Sequence, residues 1–315
     1  MNLQQLEYIV AVDEHRHFGK AAKSCQVTQP TLSMMIQKLE VELDTKIFDR
    51  SKKPVIPTEV GLLVIAQARK ICKDLSNIHE IVNQQKETIQ GSLNLGIIPT
   101  LAPYLLPLFI KRFIEKYPKI RLKISEHTTE VIMQYLKSGK LDVGLMATPL
   151  GDSSLKENPL FYEKFLIYTN NEYEKEFLLP EDIDPKQLWL LEEGHCFRTQ
   201  IANLCELRKQ VNLPLQYETG SIETLIKLVD HQYGITILPE LAGHSLAQSR
   251  KYKLKSFKSP APVRQISLVT HRDFVKRRLI IALQEEIMAG IPKHVQENAI
   301  LHRKNIQPIK KWISD

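Results

Sequence analysis

The chain of 315 residues has no apolar run approaching the roughly 18–20 residues that a membrane-spanning helix needs. Its first residues, Met1-Asn2-Leu3-Gln4-Gln5-Leu6, lack the basic segment and apolar core of a secretory leader. Both absences lead to the expectation of a cytoplasmic protein. Cysteine is scarce. There are four, Cys25, Cys72, Cys196 and Cys205, and no two close pairs have the spacing of a zinc site. No metal and no cofactor is expected. In a reducing compartment the cysteines are thiols by default, and a disulfide is transient. A basic N-terminal segment is missing as well. The net charge of +7 suggests an anionic partner, yet residues 1–90 carry only +1, residues 91–249 carry −4 and residues 250–315 carry +10. Charge alone is therefore weak support for nucleic-acid contact at the N-terminal end. The composition, 43% hydrophobic and 25% charged, is that of an ordinary globular protein. The length fits two or three domains.

What is present begins with three short helices. Leu3, Leu6, Ile9 and Val10 give residues 3–14 one largely apolar face. A second helix runs from Phe18 to Ser24, and Cys25-Gln26-Val27 is a tight turn. Thr28 suits a helix N-cap, with Pro30 in the first turn. Leu32, Met35, Ile36 and Leu39 form the inner face of the third helix, which leaves Thr28, Gln29, Pro30, Thr31, Ser33 and Gln37 for the outside. This is a helix-turn-helix layout, in which the second helix of the motif enters the major groove. Gln pairs with adenine, and Ser or Thr meets base edges or phosphate. Residues 44–58 read as a short two-stranded wing, where Arg50, Lys52 and Lys53 are candidate phosphate contacts. A small helical bundle with a solvated charged loop is the bland alternative. Residues 1–58 are thus the expected DNA-binding domain. Residues 59–89 form a linker helix whose sustained apolar stripe calls for its copy in another subunit. Cys25 and Cys72 are structural in this reading.

From Gly91 onward strands alternate with helices, the pattern of βαβ units and a mainly parallel sheet. Such sheets bind ligands at the carboxyl ends of their strands. Thr100 and Thr129 fall at such places, where a hydroxyl serves a ligand or a helix N-cap equally well. A second α/β unit starts at Phe161 and holds a strand at 216–219, a helix at 221–230 and a strand at 234–239. Residues 264–269 cross back to the first unit. The fold class is therefore α+β and multi-domain. An N-terminal winged helix-turn-helix and a long linker helix precede a two-lobed, periplasmic-binding-protein-like α/β domain over 90–300. Lobe I takes about 90–160 and 264–300, lobe II about 161–263, and residues 301–315 are a basic tail.

The stretch Gly194-His195-Cys196-Phe197-Arg198-Thr199-Gln200 carries reactive chemistry. A thiol is a nucleophile only as thiolate, which a nearby imidazole (His195) or guanidinium (Arg198) favours. Cys205 lies nine residues on. Sulfenic acid on one sulfur condenses with a neighbouring thiol to a disulfide. Residues 201–208 read as a helix, and nine residues of helical rise span roughly 13 Å, whereas a disulfide needs Cα atoms about 5.5–6 Å apart. Joining the two requires the segment to unwind. Two small buried hydrophobes are the alternative for this pair.

Taken together, the chain resembles LysR-type transcriptional regulators over nearly its whole length. The resemblance rests on the stretch from Phe18 to Glu40, on the wing ending Pro57-Thr58-Glu59-Val60-Gly61, and on Gly234 to Pro239. Ile98-Pro99-Thr100-Leu101-Ala102-Pro103-Tyr104-Leu105-Leu106-Pro107 and Glu193-Gly194-His195-Cys196-Phe197-Arg198, with Cys205, resemble the hydrogen peroxide-sensing branch of that family. The resemblance implies a regulator, mainly an activator, of oxidative-stress genes and not an enzyme. It implies that Cys196 is the peroxidatic thiolate and Cys205 its resolving partner. Thr100, Thr129 and His195 would hold hydrogen peroxide, and Arg264 would supply positive charge. It further implies promoter DNA, a homodimer or homotetramer, RNA polymerase, and thioredoxin or glutaredoxin as reductant. One departure stands out: Thr199 occupies a place where that branch often has Asp. A family member sensing a small metabolite between the lobes, and a thiol peroxidase, are the competing readings.

Overall fold

The structure is a computed structural model that describes residues 1–83, 89–170, 177–191, 196–205, 220–231, 234–259 and 261–297. The chain forms two compact units, one of Met1–Glu87 with Lys137–Lys140 and the other of Thr88–Leu136 with Leu141–Asp315. Among the described residues, no helix is long and apolar enough to cross a membrane.

The first unit packs α1 (Leu3–His15), α2 (Phe18–Ser24) and α3 (Gln29–Glu42) around Leu6, Ile9, Val12, Ala21, Leu32, Ile36 and Leu39. Each helix start is capped by its own sequence. Asn2 and Gln5 exchange side chain-to-backbone bonds at α1, and His17 Nδ1 accepts from Gly19 and Lys20 at α2. Thr28 Oγ1 accepts from the Thr31 amide at α3, with Pro30 in the first turn. Strands β1 (Phe48–Asp49) and β2 (Ile56–Pro57) pair antiparallel as the wing. Buried Glu40 on α3 positions it: Oε1 accepts from the Ile47 amide at 2.8 Å and the Phe48 amide at 3.3 Å, and Oε2 accepts from Arg50 at 3.1 Å. Then α4 (Glu59–Asn83) begins. A Cβ on Gly61 would lie 2.0 Å from the Ile47 carbonyl oxygen, so only glycine lets α4 start this close to the wing. Arg69 fastens α4 to α1 through Asp13 at 2.8 Å and Glu14 at 2.7 Å. Leu62, Leu63, Leu75 and Ile78 on α4 remain exposed.

The second unit is built on two sheets that share one strand. Strands β3 (Gly91–Ile97), β4 (Ile120–Glu126) and β5 (Val143–Thr148) form lobe I, with α5 (Ala102–Lys116) and α6 (Thr129–Lys137) between them. The long strand β6 (Leu155–Thr169) runs out of lobe I into lobe II. There it meets β7 (Phe177–Leu178), β8 (Leu188–Trp189), β9 (Ile235–Pro239) and β10 (Leu254–Phe257), with α7 (Cys196–Leu204), α8 (Ile222–Asp230) and α9 (Glu240–Ser245). Strand β11 (Val263–His271) returns, and α10 (Arg277–Gly290) packs on α5. The order is β4-β3-β5-β11-β6-β10-β7, with β9 joining β6 to β8.

The expectation of a mainly parallel sheet needs correction. β3 pairs parallel with β4 and β5, as βαβ units require, but β11 pairs antiparallel with β5 and β6, and β6 antiparallel with β9 and β10. The reason is geometric: a strand that leaves one lobe and a strand that returns to it run in opposite directions. The strand expected at 216–219 lies outside the described residues. The helix expected to follow Cys196 starts at Cys196 itself. Leu101 occupies the N-cap position of α5, and Thr129 is already the first residue of α6 with Ile132 N–H bonded to the Thr128 carbonyl. Neither Thr100 nor Thr129 is therefore an N-cap. Gly234 has φ +71°, and a Cβ there would lie 2.2 Å from the Gln187 carbonyl oxygen, which accounts for glycine at the entry to β9.

One ion cluster in lobe I makes a pH signature. Glu286 on α10 accepts from Lys116 Nζ at 2.7 Å and also pairs with Arg112, both on α5. Lys116 first, and Arg112 with it, hold the Glu286 carboxyl below the usual carboxylate range. A depressed carboxylate adds stability that is fully present above its unfolded pKa and is lost as pH falls through its folded one. Between about pH 5 and pH 3, urea melts should show the parent losing more stability than a Glu286→Gln variant. Parallel losses in the two proteins would refute this.

Candidate functional site

The second unit gathers its polar interior around Cys196. This residue opens α7, is 2% exposed, and follows the lobe II strand β8. Burial pushes its thiol above the ordinary range. Against burial work the Thr129 hydroxyl, then the Arg264 guanidinium, then the backbone amides of Phe197 and Cys196. Thr129 comes from the start of α6, beyond the carboxyl end of β4, and Thr100 from beyond the carboxyl end of β3. These are the positions where α/β sheets present ligand-binding groups.

Arg264, on β11, is the centre of this network and is 1% exposed. Its Nε and Nη2 both lie 2.8 Å from Glu163 Oε2. Its Nη1 donates to Thr100 Oγ1 at 2.9 Å and its Nη2 to the Thr100 carbonyl at 3.3 Å. The guanidinium lies 5.1 Å from the centre of the Phe197 ring. Glu163 is fully buried on β6, directly opposite Arg264 in the β6–β11 register. Burial raises its carboxyl pKa, and the Arg264 charge and the Leu241 amide, which donates to Oε1 at 2.8 Å, oppose that rise. Five donors on a rigid fork let a single arginine bind Glu163, Thr100 and the thiol's surroundings at once.

Thr100, Thr129, Cys196 and Arg264 are thus brought together from sequence positions up to 164 residues apart. His195 lies outside the described residues. Arg198, offered as a thiolate-stabilising residue, donates instead from Nη1 to the Leu191 carbonyl at 2.9 Å, and the charge acting on the thiol is that of Arg264. Thr199 is exposed, so its side chain does not face the buried sulfur. Cys205 is half-buried at the end of α7, where its amide continues the helix to the Ile201 carbonyl at 2.9 Å. Burial pushes its thiol up to about 11. All four cysteines are free thiols.

Sequence reasoning missed three residues here. Glu163 shares the inward phase of Phe161, Phe165 and Ile167, and a charge on the apolar phase of a strand is a signal that the pattern contained. Gln200 lies one helical turn beyond Cys196 on the same face. Its Oε1 is buried without a hydrogen-bond partner. Tyr104 on α5 donates to Glu223 on α8 at 2.9 Å, linking the two lobes. That burial and that partner raise the Tyr104 pKa, so its hydroxyl stays a donor.

In the first unit, Thr28, Gln29, Pro30, Thr31 and Gln37 are exposed on and beside α3, as are Lys52 and Lys53 in the wing. Ser33 and Arg50 differ from these. Arg50 Nη1 donates to Ser33 Oγ at 3.0 Å, its Nη2 reaches Glu40, and the guanidinium stacks 4.8 Å from the Phe18 ring centre. Both are committed to holding the wing against α3.

A helix-turn-helix unit joined to a two-lobed unit with a buried interior site defines a DNA-binding regulator that carries its own sensing domain. Residues 3–62 match the bacterial regulatory helix-turn-helix family of lysR type, and residues 86–290 match the LysR substrate binding domain. The chain belongs to the LysR family of transcriptional regulators. It is 36% identical over 297 residues to the Escherichia coli DNA-binding transcriptional dual regulator OxyR, covering 93% of this chain and 97% of that one. It is 38% identical over 276 residues to the hydrogen peroxide-inducible genes activator of Pectobacterium carotovorum, covering 85% and 90%. Among solved structures, a full-length cysteine-to-aspartate variant of OxyR from Pseudomonas aeruginosa superposes with a TM-score of 0.81 at 33% identity, covering 92% of this chain and 99% of that one.

The contribution of Thr129 to the thiol is open to direct test. Thr129→Val removes the hydroxyl that most opposes the effect of burial on Cys196. The pH profile of Cys196 alkylation should move to higher pH in Thr129→Val and stay near the parent in Thr129→Ser. An unmoved profile in the valine variant would remove Thr129 from the site.

Proposed function

We propose that this chain is a DNA-binding transcriptional regulator, mainly an activator of oxidative-stress genes, switched by hydrogen peroxide at Cys196. The observation that carries the reading is the buried Cys196 thiol with Thr129 and Arg264 acting on it and a second thiol, Cys205, at the far end of the same helix. The names of the relatives support it. The Thr129 hydroxyl acting on the thiol and the buried Gln200 Oε1, one turn along α7, offer hydrogen-bonding capacity suited to a small molecule with two hydroxyl groups. Thr100 and His195 complete the proposed peroxide pocket.

The Cys196 thiolate attacks one peroxide oxygen, the O–O bond breaks, and the departing hydroxide takes up the thiol's proton as water. Arg264 offsets the negative charge that builds on the sulfur and the leaving oxygen. Cys205 then attacks the sulfenic sulfur and a second water leaves, giving the disulfide. Along α7 the two Cα atoms are about 13 Å apart by helical rise, and a disulfide requires about 5.5–6 Å. Oxidation must therefore unwind α7, which makes it the two-state element of a switch. Thioredoxin or glutaredoxin would reverse the reaction by thiol–disulfide exchange.

Downstream, residues 1–58 bind promoter DNA through the cap Thr28 and through Gln29, Pro30, Thr31 and Gln37 on α3, with Lys52 and Lys53 at the backbone and Ser33 and Arg50 holding the wing in place. Residues 59–89 pair subunits through the exposed apolar residues of α4, and residues 90–300 sense the oxidant. The active assembly is a homodimer or homotetramer that recruits RNA polymerase in the cytoplasm. A metabolite between the lobes is less favoured, because Tyr104 and Glu223 already bond each other from the two lobes.

Free thiols and the promoter footprint, measured before and after a small excess of hydrogen peroxide, test this reading. The parent should lose two thiols, yield a Cys196–Cys205 cross-linked peptide and shift its footprint. Cys196→Ser should do none of these, and Cys205→Ser should stop at a trappable sulfenic acid. A footprint that does not move, with thiols intact, would turn attention to the metabolite reading.

A further inference from the structure

A second cluster of ligand-type side chains lies outside the thiol site. Glu240 opens α9 immediately after β9, and His244 follows one turn later on the same helix. The two are sequence neighbours on one face, the i, i+4 relation. His294, which follows α10, brings its ring to 4.1 Å from that of His244, centre to centre. One ligand atom from each of Glu240, His244 and His294 lies within 4.8 Å of the others. Glu240 Oε1 and His244 Nε2 are 3.8 Å apart. A tetrahedral ion with 2.0–2.1 Å bonds sets its ligands about 3.4 Å apart, so small side-chain rotations close the set. The cluster has a buried floor and an open mouth: Glu240 is 5% exposed, whereas both histidines face solvent. The carboxylate is already oriented, because its Oε2 accepts the Lys164 amide at 3.1 Å, the kind of outer bond that supports a metal ligand.

We infer that Glu240, His244 and His294 form a binding site for a divalent transition-metal ion of the zinc class. Two imidazoles and one carboxylate suit that class and leave a fourth position for water. The ion braces α9 against the segment after α10. The brace sits beside the Cys196 network, since Leu241, next to Glu240, donates its amide to Glu163 Oε1 at 2.8 Å.

The test uses the untagged full chain in its reduced form, with Co²⁺ as the spectroscopic probe and Zn²⁺ as competitor. The parent should take up one equivalent of Co²⁺ with visible d–d bands and no thiolate-to-cobalt charge-transfer band. Zn²⁺ should displace the Co²⁺ and raise the melting temperature, as any ligand of the native state does. His244→Asn and His294→Asn should each weaken binding by about tenfold or more, since even outer partners of a metal ligand cost that much. Without metal both variants should melt with the parent, which separates ligand loss from misfolding. Three results would overturn the inference: no uptake by the parent, uptake unchanged in both histidine variants, or a thiolate charge-transfer band that vanishes when cysteines are replaced.

Discussion

Everything in the sensing unit turns on where one buried positive charge is held. Arg264 is almost without exposure, and so is Glu163. Neither would be stable in this interior alone: removing one member of a buried pair costs about 3–5 kcal/mol because the other is left uncompensated. The fold meets that demand from several sides. Register between β6 and β11 sets the two residues opposite one another, Thr100 accepts two further bonds, and the Leu241 amide occupies the other carboxylate oxygen. The arrangement therefore ties lobe I, the crossover strands and α9 into one network. The thiol at Cys196 experiences the result as a fixed nearby charge.

The same interior sets Cys196 apart from an ordinary buried cysteine. Burial alone raises the thiol pKa and suppresses reaction with bulk reagents. Thr129, Arg264 and the amides at the start of α7 oppose burial, and each acts only inside the site. Cys205 has no such help, and burial is the cause acting on it. Two thiols nine residues apart are thus made chemically unequal by their surroundings. The helix between them keeps them apart.

In the DNA-binding unit a parallel economy appears. Glu40 fixes the wing to α3 through two amides and Arg50, and Arg50 in turn reaches Ser33 and Phe18. A basic residue that looks from its sequence position like a phosphate contact is here part of the scaffold that aims the others. The exposed Gln29, Thr31 and Gln37 owe their placement to the Thr28 cap and to the inward Leu32, Ile36 and Leu39.

Much of this was legible along the chain because it rests on local rules. Helical spacing, the Thr28 cap with Pro30, alternating strands and helices, and the Cys196 stretch are set by residues within a few positions of each other. They determined the order of elements, the helix-turn-helix and the cysteine-bearing helix. Direction within the sheet was less legible, since the outgoing β6 and returning β11 read like any other strand. The partners of the site were decided by tertiary structure. Arg264 meets Glu163 across 101 residues and Thr100 across 164, and Arg198, next to the cysteine in sequence, turns to Leu191. Adjacency along a helix points successive side chains in different directions, whereas strand register and lobe packing bring distant ones face to face, and only the folded chain contains that information.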